Sequence, residues 1–524
     1  MPIAGHSAKL AASLKRNAAY LFIVIAAVAV ISRITFAASM RHPGHGDPSY
    51  YYSLAENIYS GRGPVIDYIW NYMGKPEGIT RASIGYWKPL TSVIICVSFF
   101  IFGKSLFSAL IPAILAGLII SLITFRIAML YSKSRIVAYV SACMILFIPS
   151  LFTFSLSTET PIHCALMASA SFLFMIKGQK RAVYFLLSAF FAALAHLTRQ
   201  DGILVFFTLL VVIAARPMKF KEKTAWSSAA LLVYLLVFTP LLIYAHKVSE
   251  PVFSSRALKT LFITCHEDVY SFSKELSLRT YLEWGIGNII ASRVKAAVHC
   301  INTLYNVLGG FLWTFAVIGL FDVFMLRSSR PGNAKYLPPL LFMSLLMAVY
   351  ILVIPVFGQH SAPFKCIIAV TPFLVVISID ALFRHVPSKK AFLLITAILG
   401  LFIYSRSMCS ASDAVIYNNR QGYILSQLEK VLRQEHGKDP GSEIIIMTRH
   451  PWEVYHATKF RAIQIPNDGI DTIYEVARRY GANYLLLPAP RQALYDIYLG
   501  NQHDKRFKYI KRIPESKLKL FQII

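Results

Sequence analysis

Four stretches of the chain carry side chains that could move a proton or hold an anion. The first, residues 40–89, sets Asp47 between Gly46 and Pro48, continues with Tyr50, Tyr51 and Tyr52, and closes on Tyr86, Trp87, Lys88 and Pro89. The second is L-S-T-E-T-P around Glu159. The third is L-T-R-Q-D-G, with Arg199 and Asp201, and the fourth is F-G-Q-H-S-A-P-F-K, with His360 and Lys365. A carboxylate can accept the proton of a hydroxyl or position that hydroxyl, and cationic side chains can hold the charge of a departing phosphate. That pairing suits transfer of a group carried on a lipid phosphate to a polar acceptor. Asp47 is the first candidate for the carboxylate and Glu159 the second. Lys88, Arg199, His360 and Lys365 are candidates for the phosphate, with Tyr51 and Tyr86 forming a wall toward the donor.

Each candidate also has an ordinary alternative. Asp47 suits a helix cap, as does Glu159. Lys88 at a point of membrane entry suits a snorkelling lysine. Arg199 and Asp201 suit mutual neutralisation, and Glu56 suits the surface of a helix over Tyr50 to Tyr59. His42 and His45 flank Gly44 without forming an established metal motif, and His266-Glu267-Asp268 is a weak one, so structural or solvated roles outweigh ligation for these.

The elements that must position these residues are hydrophobic. Of 524 residues, 56% are hydrophobic and only 15% charged, against about a quarter charged in soluble domains. This is the composition of an integral membrane protein. The net charge of +27 comes without a DNA-reading or RNA-reading motif, and the basic residues recur in clusters between apolar runs. Orientation by the positive-inside rule produces that pattern, so no nucleic-acid partner is expected. Seven cysteines lack C-x-x-C spacing and supply neither a disulfide framework nor a metal signature.

Lys9, Lys15 and Arg16 precede an apolar run from Ala18 to about Ala38, which reads as a retained first span with a cytoplasmic N-terminus. Residues 39–89 then lie outside the cytoplasm, since a segment with Asp47, Glu56, Asp67, Glu77, Arg81 and Lys88 is costly to place in lipid. Leu90 to Phe102 is short and reads as interfacial. Further spans are expected over Leu106 to Phe125, Ile136 to Phe152, Pro161 to Ile176, Val183 to Leu197, Ile203 to Ala215 and Ala225 to Tyr244. A second outer loop covers 246–302. Thr303 to Phe324, Leu337 to Phe357, Cys366 to Phe383 and Ala391 to Tyr404 follow, with Arg327, Arg330 and Lys335 marking a cytoplasmic turn. The total is about eleven spans, with thirteen as the upper count. In this reading the candidate residues all fall at outer ends of spans or in outer loops.

Residues 1–404 therefore read as a transmembrane unit and 405–524 as a small extracytoplasmic α/β domain. Asn419 to Gln434 has an amphipathic helical pattern, Glu443 to Met447, Arg461 to Ile465 and Tyr484 to Leu487 read as strands, and Asp471 to Tyr480 reads as a helix stopped by Gly481. Arg479, Lys511 and Arg512 read as solvated surface.

At these residues the sequence resembles membrane glycosyltransferases of the GT-C fold, in particular the bacterial branch related to protein O-mannosyltransferases and lipid A aminoarabinose transferases. The resemblance rests on G-D-P-S-Y-Y-Y-S-L-A-E-N-I-Y-S-G-R-G after the first span and R-A-S-I-G-Y-W-K-P-L before the next apolar segment. It continues with L-S-T-E-T-P, L-T-R-Q-D-G and H-S-A-P-F-K-C-I-I-A-V-T-P-F, in that order. It implies transfer of a sugar, with inversion, from a polyprenyl-phosphate or pyrophosphate donor to a lipid, glycan or protein acceptor at the outer face of a bacterial inner (plasma) membrane. It implies that Asp47 is a catalytic or acceptor-positioning carboxylate and Lys88 a lipid-phosphate ligand, with Arg199 and Lys365 completing the anion site. Glu159 resembles an acidic position of the same pattern. Protein O-mannosyltransferases show an Asp-Glu pair in the first loop, whereas Asp47 is followed by Pro48, so that particular acceptor arrangement has little support. No cofactor is required by the resemblance, which leaves a divalent metal open. The competing readings are a transporter or flippase component of envelope glycan assembly, and an envelope structural protein.

Overall fold

In a computed structural model of the chain, residues 3–248, 258–326, 333–437, 443–487 and 491–524 are described. Arg327 and Arg330, invoked for a cytoplasmic turn, lie outside them, as does part of the second outer loop.

The membrane portion begins with α1 (Ile3–Ser39), and α2 (Asp47–Tyr59) opens the stretch that the sequence reads as the first outer loop. Eight more helices follow: α3 (Leu90–Phe102), α4 (Leu106–Tyr131), α5 (Arg135–Phe147), α6 (Pro149–Phe154), α7 (Pro161–Gly178), α8 (Tyr184–Thr198), α9 (Ile203–Ala215) and α10 (Phe220–Lys247). Among the described residues six helices are long and apolar enough to cross a membrane, and a bent pair makes a seventh. Four shorter apolar helices accompany them, including α3. Thirteen residues of α3 extend only about 20 Å, short of a hydrocarbon layer of about 30 Å. Its Phe100, Ile101 and Phe102 are exposed, as expected of a helix lying against lipid.

Several expected spans are broken, and the breaks have identifiable chemistry. The segment expected to cross from Thr303 to Phe324 belongs to two helices, Ile286–Leu308 and Gly310–Met325, meeting at 109°. Gly309 makes the corner in a left-handed conformation, φ +75°, that residues with a Cβ rarely adopt. Much of the outer loop assigned to 246–302 is consequently helical. Pro149 divides the run from Ile136 to Phe152 into α5 and α6, because proline lacks the N–H that would continue the ladder. The run from Leu337 to Phe357 likewise divides at Pro355, where the helix Pro355–Gly358 starts. By contrast, Ala391 to Tyr404 is part of one helix, Lys389–His436, of 48 residues. It crosses position 404, where the sequence suggested a domain boundary, and takes in the amphipathic stretch from Asn419.

The strands of the C-terminal region are β3 (Ile445–Thr448), β4 (Arg461–Gln464), β5 (Tyr484–Leu487), β6 (Phe507–Arg512) and β7 (Lys519–Ile523). They do not form a sheet alone. The first outer loop contributes β1 (Val65–Ile69) and β2 (Thr80–Ala82), giving the order β2-β1-β4-β3-β5-β7-β6. Strands β1 and β4 pair in parallel, Tyr68 opposite Ala462 and Ile69 opposite Ile463. The C-terminal region and the first outer loop therefore share one sheet and one apolar core, in which Tyr50, Tyr68, Trp70, Ile446, Trp452 and Leu486 pack together.

One carboxylate ties that junction. Asp67 on β1 accepts two hydrogen bonds from Arg62, each 2.8 Å, one from the Thr80 hydroxyl at 2.8 Å and one from the Tyr455 hydroxyl at 2.7 Å. Burial alone would raise its pKa, but these donors outweigh burial and hold it below the ordinary carboxylate value. Its stabilisation is thus present above the unfolded pKa and is lost as pH falls through the lower folded one. Asp67→Asn removes the charge that Arg62 and Tyr455 meet. It is expected to lower unfolding free energy by about 1–3 kcal/mol, read as a lowered unfolding temperature in detergent at neutral pH, with the gap to wild type closing under acid.

Candidate active site

The first outer loop turns sharply before α2. Gly46 takes φ +75° and occupies the position ahead of the helix, and Pro48 fits the first turn, where its missing N–H costs nothing. Asp47 is therefore inside the helix rather than its cap. Its carboxylate accepts from the Lys365 ammonium at 2.6 Å. The same ammonium lies 2.9 Å from Glu159, and the Thr158 hydroxyl donates to the Pro48 carbonyl at 2.7 Å. Glu159 is not a cap either, because Thr160 holds that position before α7. Two acids from distant parts of the chain thus share one ammonium.

Burial raises the Glu159 pKa, and Asp47 adds to the rise against the pull of Lys365. Burial would lower Lys365, but the two carboxylates hold it above the ordinary lysine value. Lys365, expected as a phosphate contact, is already occupied by acids.

Arg199 stands at the break between α8 and α9. There Gly202 packs so closely on the end of α8 that a Cβ would lie 2.3 Å from the Ala195 carbonyl oxygen, a contact only glycine allows. The guanidinium donates to Asp201 at 3.0 Å and to the Thr160 hydroxyl at 3.2 Å. Arg199 and Asp201 therefore do neutralise each other, yet both face the same space.

That space is a cavity of about 640 Å³. Asp47, Tyr51, Tyr86, Lys88, Arg199, His360 and Lys365 all line it, together with Trp70, Trp87, Gln200 and Tyr270. Of the eight candidates only Glu159 is absent from its wall; it lines a smaller neighbouring pocket and acts on the first through Lys365. The wall also carries apolar side chains, Ile203, Leu204, Val349, Ile354 and Phe357.

Lys88 is 1% exposed, which rules out a snorkelling lysine. Its ammonium donates to the Gly85 carbonyl at 3.2 Å, and burial pushes its pKa down to about 8. The Gln200 amide donates to the carbonyls of Gly85 and Tyr86 at 2.9 and 2.8 Å, fixing the turn that presents Lys88. Trp70 and Trp87 stack at 4.5 Å with 12° between their planes, and Tyr86 meets Trp70 at 4.9 Å. Tyr51 stands at 4.9 Å from Tyr50, edge to face. His360 reaches the cavity beside His266, ring centroids 4.7 Å apart.

Glu56, Glu267 and Asp268 have cationic partners. Glu56 pairs with Lys459 at 2.6 Å and with Lys104 at 3.4 Å. In the weak cluster at 266–268, Asp268 pairs with Lys274 at 2.8 Å and Glu267 with Arg449 at 3.4 Å, so that cluster is held by cations.

Sequence reasoning passed over Trp452 and Trp70 as cavity residues. It also missed the grouping of His45 with His450 and Glu453, whose donor atoms lie within 4.8 Å of one another. The signal was R-H-P-W-E after a strand, uninformative until pairing of β1 with β4 brings it to the first loop.

Residues 88–244 match the Dolichyl-phosphate-mannose-protein mannosyltransferase family. Among solved structures the chain is similar to ArnT from Cupriavidus metallidurans bound to undecaprenyl phosphate, at 13% identity over 96% of this chain and 98% of that one, with a TM-score of 0.59. The chain has the GT-C fold. The oligosaccharyltransferase AglB from Archaeoglobus fulgidus, in complex with an inhibitory peptide and a dolichol-phosphate, is similar at 12% identity and a TM-score of 0.51. That likeness covers 89% of this chain and 69% of the other. No curated protein matches the chain in sequence.

The shared ammonium gives the site an asymmetric sensitivity. Lys365→Met leaves two neighbouring carboxylates without their cation and is expected to cost about 3 kcal/mol. Glu159→Gln leaves the Asp47–Lys365 pair intact and costs less. Thermal unfolding of the two variants in detergent should keep that order, and adding Asp47→Asn to Lys365→Met should recover part of the loss.

Proposed function

We propose that the protein is a glycosyltransferase. It takes a sugar from a polyprenyl-phosphate or pyrophosphate donor and passes it, with inversion, to a lipid, glycan or protein acceptor at the outer face of a bacterial inner membrane. The observation that carries this reading is the convergence of Asp47, Lys88 and Arg199 on one cavity whose wall also carries apolar side chains. The similar structures hold undecaprenyl phosphate in one case and a dolichol-phosphate in another, which supports a lipid-linked donor here.

The two kinds of residue in the wall suit the two halves of such a donor. The apolar ones, Ile203, Leu204, Val349, Ile354 and Phe357, receive the first isoprene units, each buried CH2 contributing roughly 0.8 kcal/mol. The phosphate meets Lys88 and the guanidinium of Arg199, and Trp87, Tyr86 and Trp70 supply flat apolar surface for the sugar ring. In the reaction the bond from the anomeric carbon to the phosphate oxygen breaks, and the acceptor oxygen bonds to that carbon from the opposite face. Positive character develops on the sugar and negative charge on the leaving phosphate. A hydroxyl acceptor gives its proton to Asp47. A phosphate acceptor has no proton to lose, and Asp47 then orients it. Lys365 and Glu159 position Asp47 in both cases.

A positive Lys88 is what a phosphate needs. Its lowered pKa of about 8 means that the ammonium is charged below that pH and neutral above it, so donor affinity should fall as pH rises through about 8 to 9. Purified protein supplied with a panel of polyprenyl-phosphate sugars should release lipid phosphate. Asp47→Asn should lower turnover at least a hundredfold, the scale of a lost acid–base group, with donor binding retained. Lys88→Ala should instead raise KM for the donor. Turnover unchanged in both variants would remove the assignments. Alternate labelling of mid-membrane residues from the two sides would favour a flippase.

A further inference from the structure

His45, His450 and Glu453 form a cluster that the transfer reaction does not use. Glu453 sits in the first turn of the helix Pro451–Thr458 and is 4% exposed. His450 immediately precedes that helix, and His45 belongs to the loop leading into α2. Glu453 Oε1 accepts from the Gly46 N–H and from the Trp452 indole N–H, both at 3.3 Å, and is paired with His45 Nδ1. The rings of His45 and His450 stand 4.6 Å apart. His450 Nδ1 is shut off from solvent and has no hydrogen-bond partner. A buried polar atom left unpaired beside a buried carboxylate is costly, and it aims a lone pair or a proton at nothing.

We propose that His45, His450 and Glu453 bind a divalent transition-metal ion of the zinc class, which clamps the Asp47 loop onto the C-terminal region. Two imidazoles and one carboxylate are the donor set of an open zinc site. Bonds of about 2.0–2.2 Å put tetrahedral donors ~3.4 Å apart. The three donor atoms lie within 4.8 Å of one another, so closing on an ion takes about 1 Å of side-chain rotation. The ion replaces the proton now shared between His45 and Glu453 and gives His450 its missing partner. Its place is set by the fold: His45 is two residues before Asp47, and His45 and Trp452 both line the main cavity. The clamp is positional. Asp47 and Lys88, the groups assigned to the chemistry, are not among its ligands.

The site is distinct from Asp47 and Lys88, so its test is independent of the transferase reading. The full-length protein, purified in detergent with any polyhistidine tag removed, is stripped with a chelator and titrated with Zn2+ against a competing chromophoric chelator. One ion per chain is expected, bound at least tenfold more weakly by His450→Asn and by Glu453→Gln. Zinc should raise the unfolding temperature of stripped wild type and leave that of either variant unmoved. Co2+ bound to wild type should give the visible absorption of a tetrahedral site with nitrogen and oxygen donors, a readout that requires no variant to fold. Zinc binding equal in wild type and variants would show only adventitious binding to other histidines and overturn the proposal. Absence of the Co2+ spectrum would overturn it as well.

Discussion

The site depends on one ammonium. Lys365 draws together Asp47, from the first outer loop, and Glu159, from the threshold of α7, and both contacts are under 3 Å. Its own short helix, Ala362–Ile367, comes more than three hundred residues after Asp47. No local preference holds these three segments in contact. Two carboxylates held by one ammonium repel each other, and burial makes Glu159 harder to ionise. The cation between them turns the repulsion into a fixed geometry, and it directs Asp47 into the cavity while Glu159 faces the pocket behind it. The wall residue and its support are therefore chemically similar acids with different surroundings.

A second constraint acts on the same loop from above. Its strands β1 and β2 complete a sheet whose other five strands come from the C-terminal region. Asp67 fastens the seam through Arg62, Thr80 and Tyr455. The stacked tryptophans also depend on that seam, since Trp70 follows β1 directly and packs against Trp87 beside Lys88. The sheet thus orients the aromatic wall, while the membrane helices orient the basic groups. Where the two meet, charged, aromatic and aliphatic side chains border one cavity.

The sequence made the chemistry more legible than the geometry. Asp47, Lys88, Arg199 and Lys365 could be picked out because charge is rare in such an apolar chain, and Asp47 and Lys88 also lie beside Gly, Pro or Trp. Their meeting in one cavity was suggested by order and outer placement, not by any local pattern. Pairing partners were not legible. Nothing near Lys365 in sequence says that its ammonium is satisfied by acids 206 and 318 residues away, so it read as a phosphate contact. The helix boundaries failed where a long apolar run hides a break: Gly309 and Pro355 interrupt hydrophobic stretches whose composition alone suits an unbroken span. The continuous helix to His436 was divided for the opposite reason, since its first half is apolar and its second half polar. A change of polarity along one helix looks in composition like a change of domain.

Charge accounting limits what the cavity can ask of a ligand. Arg199 arrives paired with Asp201, and Lys365 arrives shared between Asp47 and Glu159. Both hold their charge firmly: Asp201 keeps Arg199, and the two acids keep Lys365, protonated despite burial. An anion entering beside them meets dipoles oriented by ion pairs rather than bare cations. At Lys88 burial weakens the hold on the proton, and a negative charge placed beside the ammonium acts in the other direction.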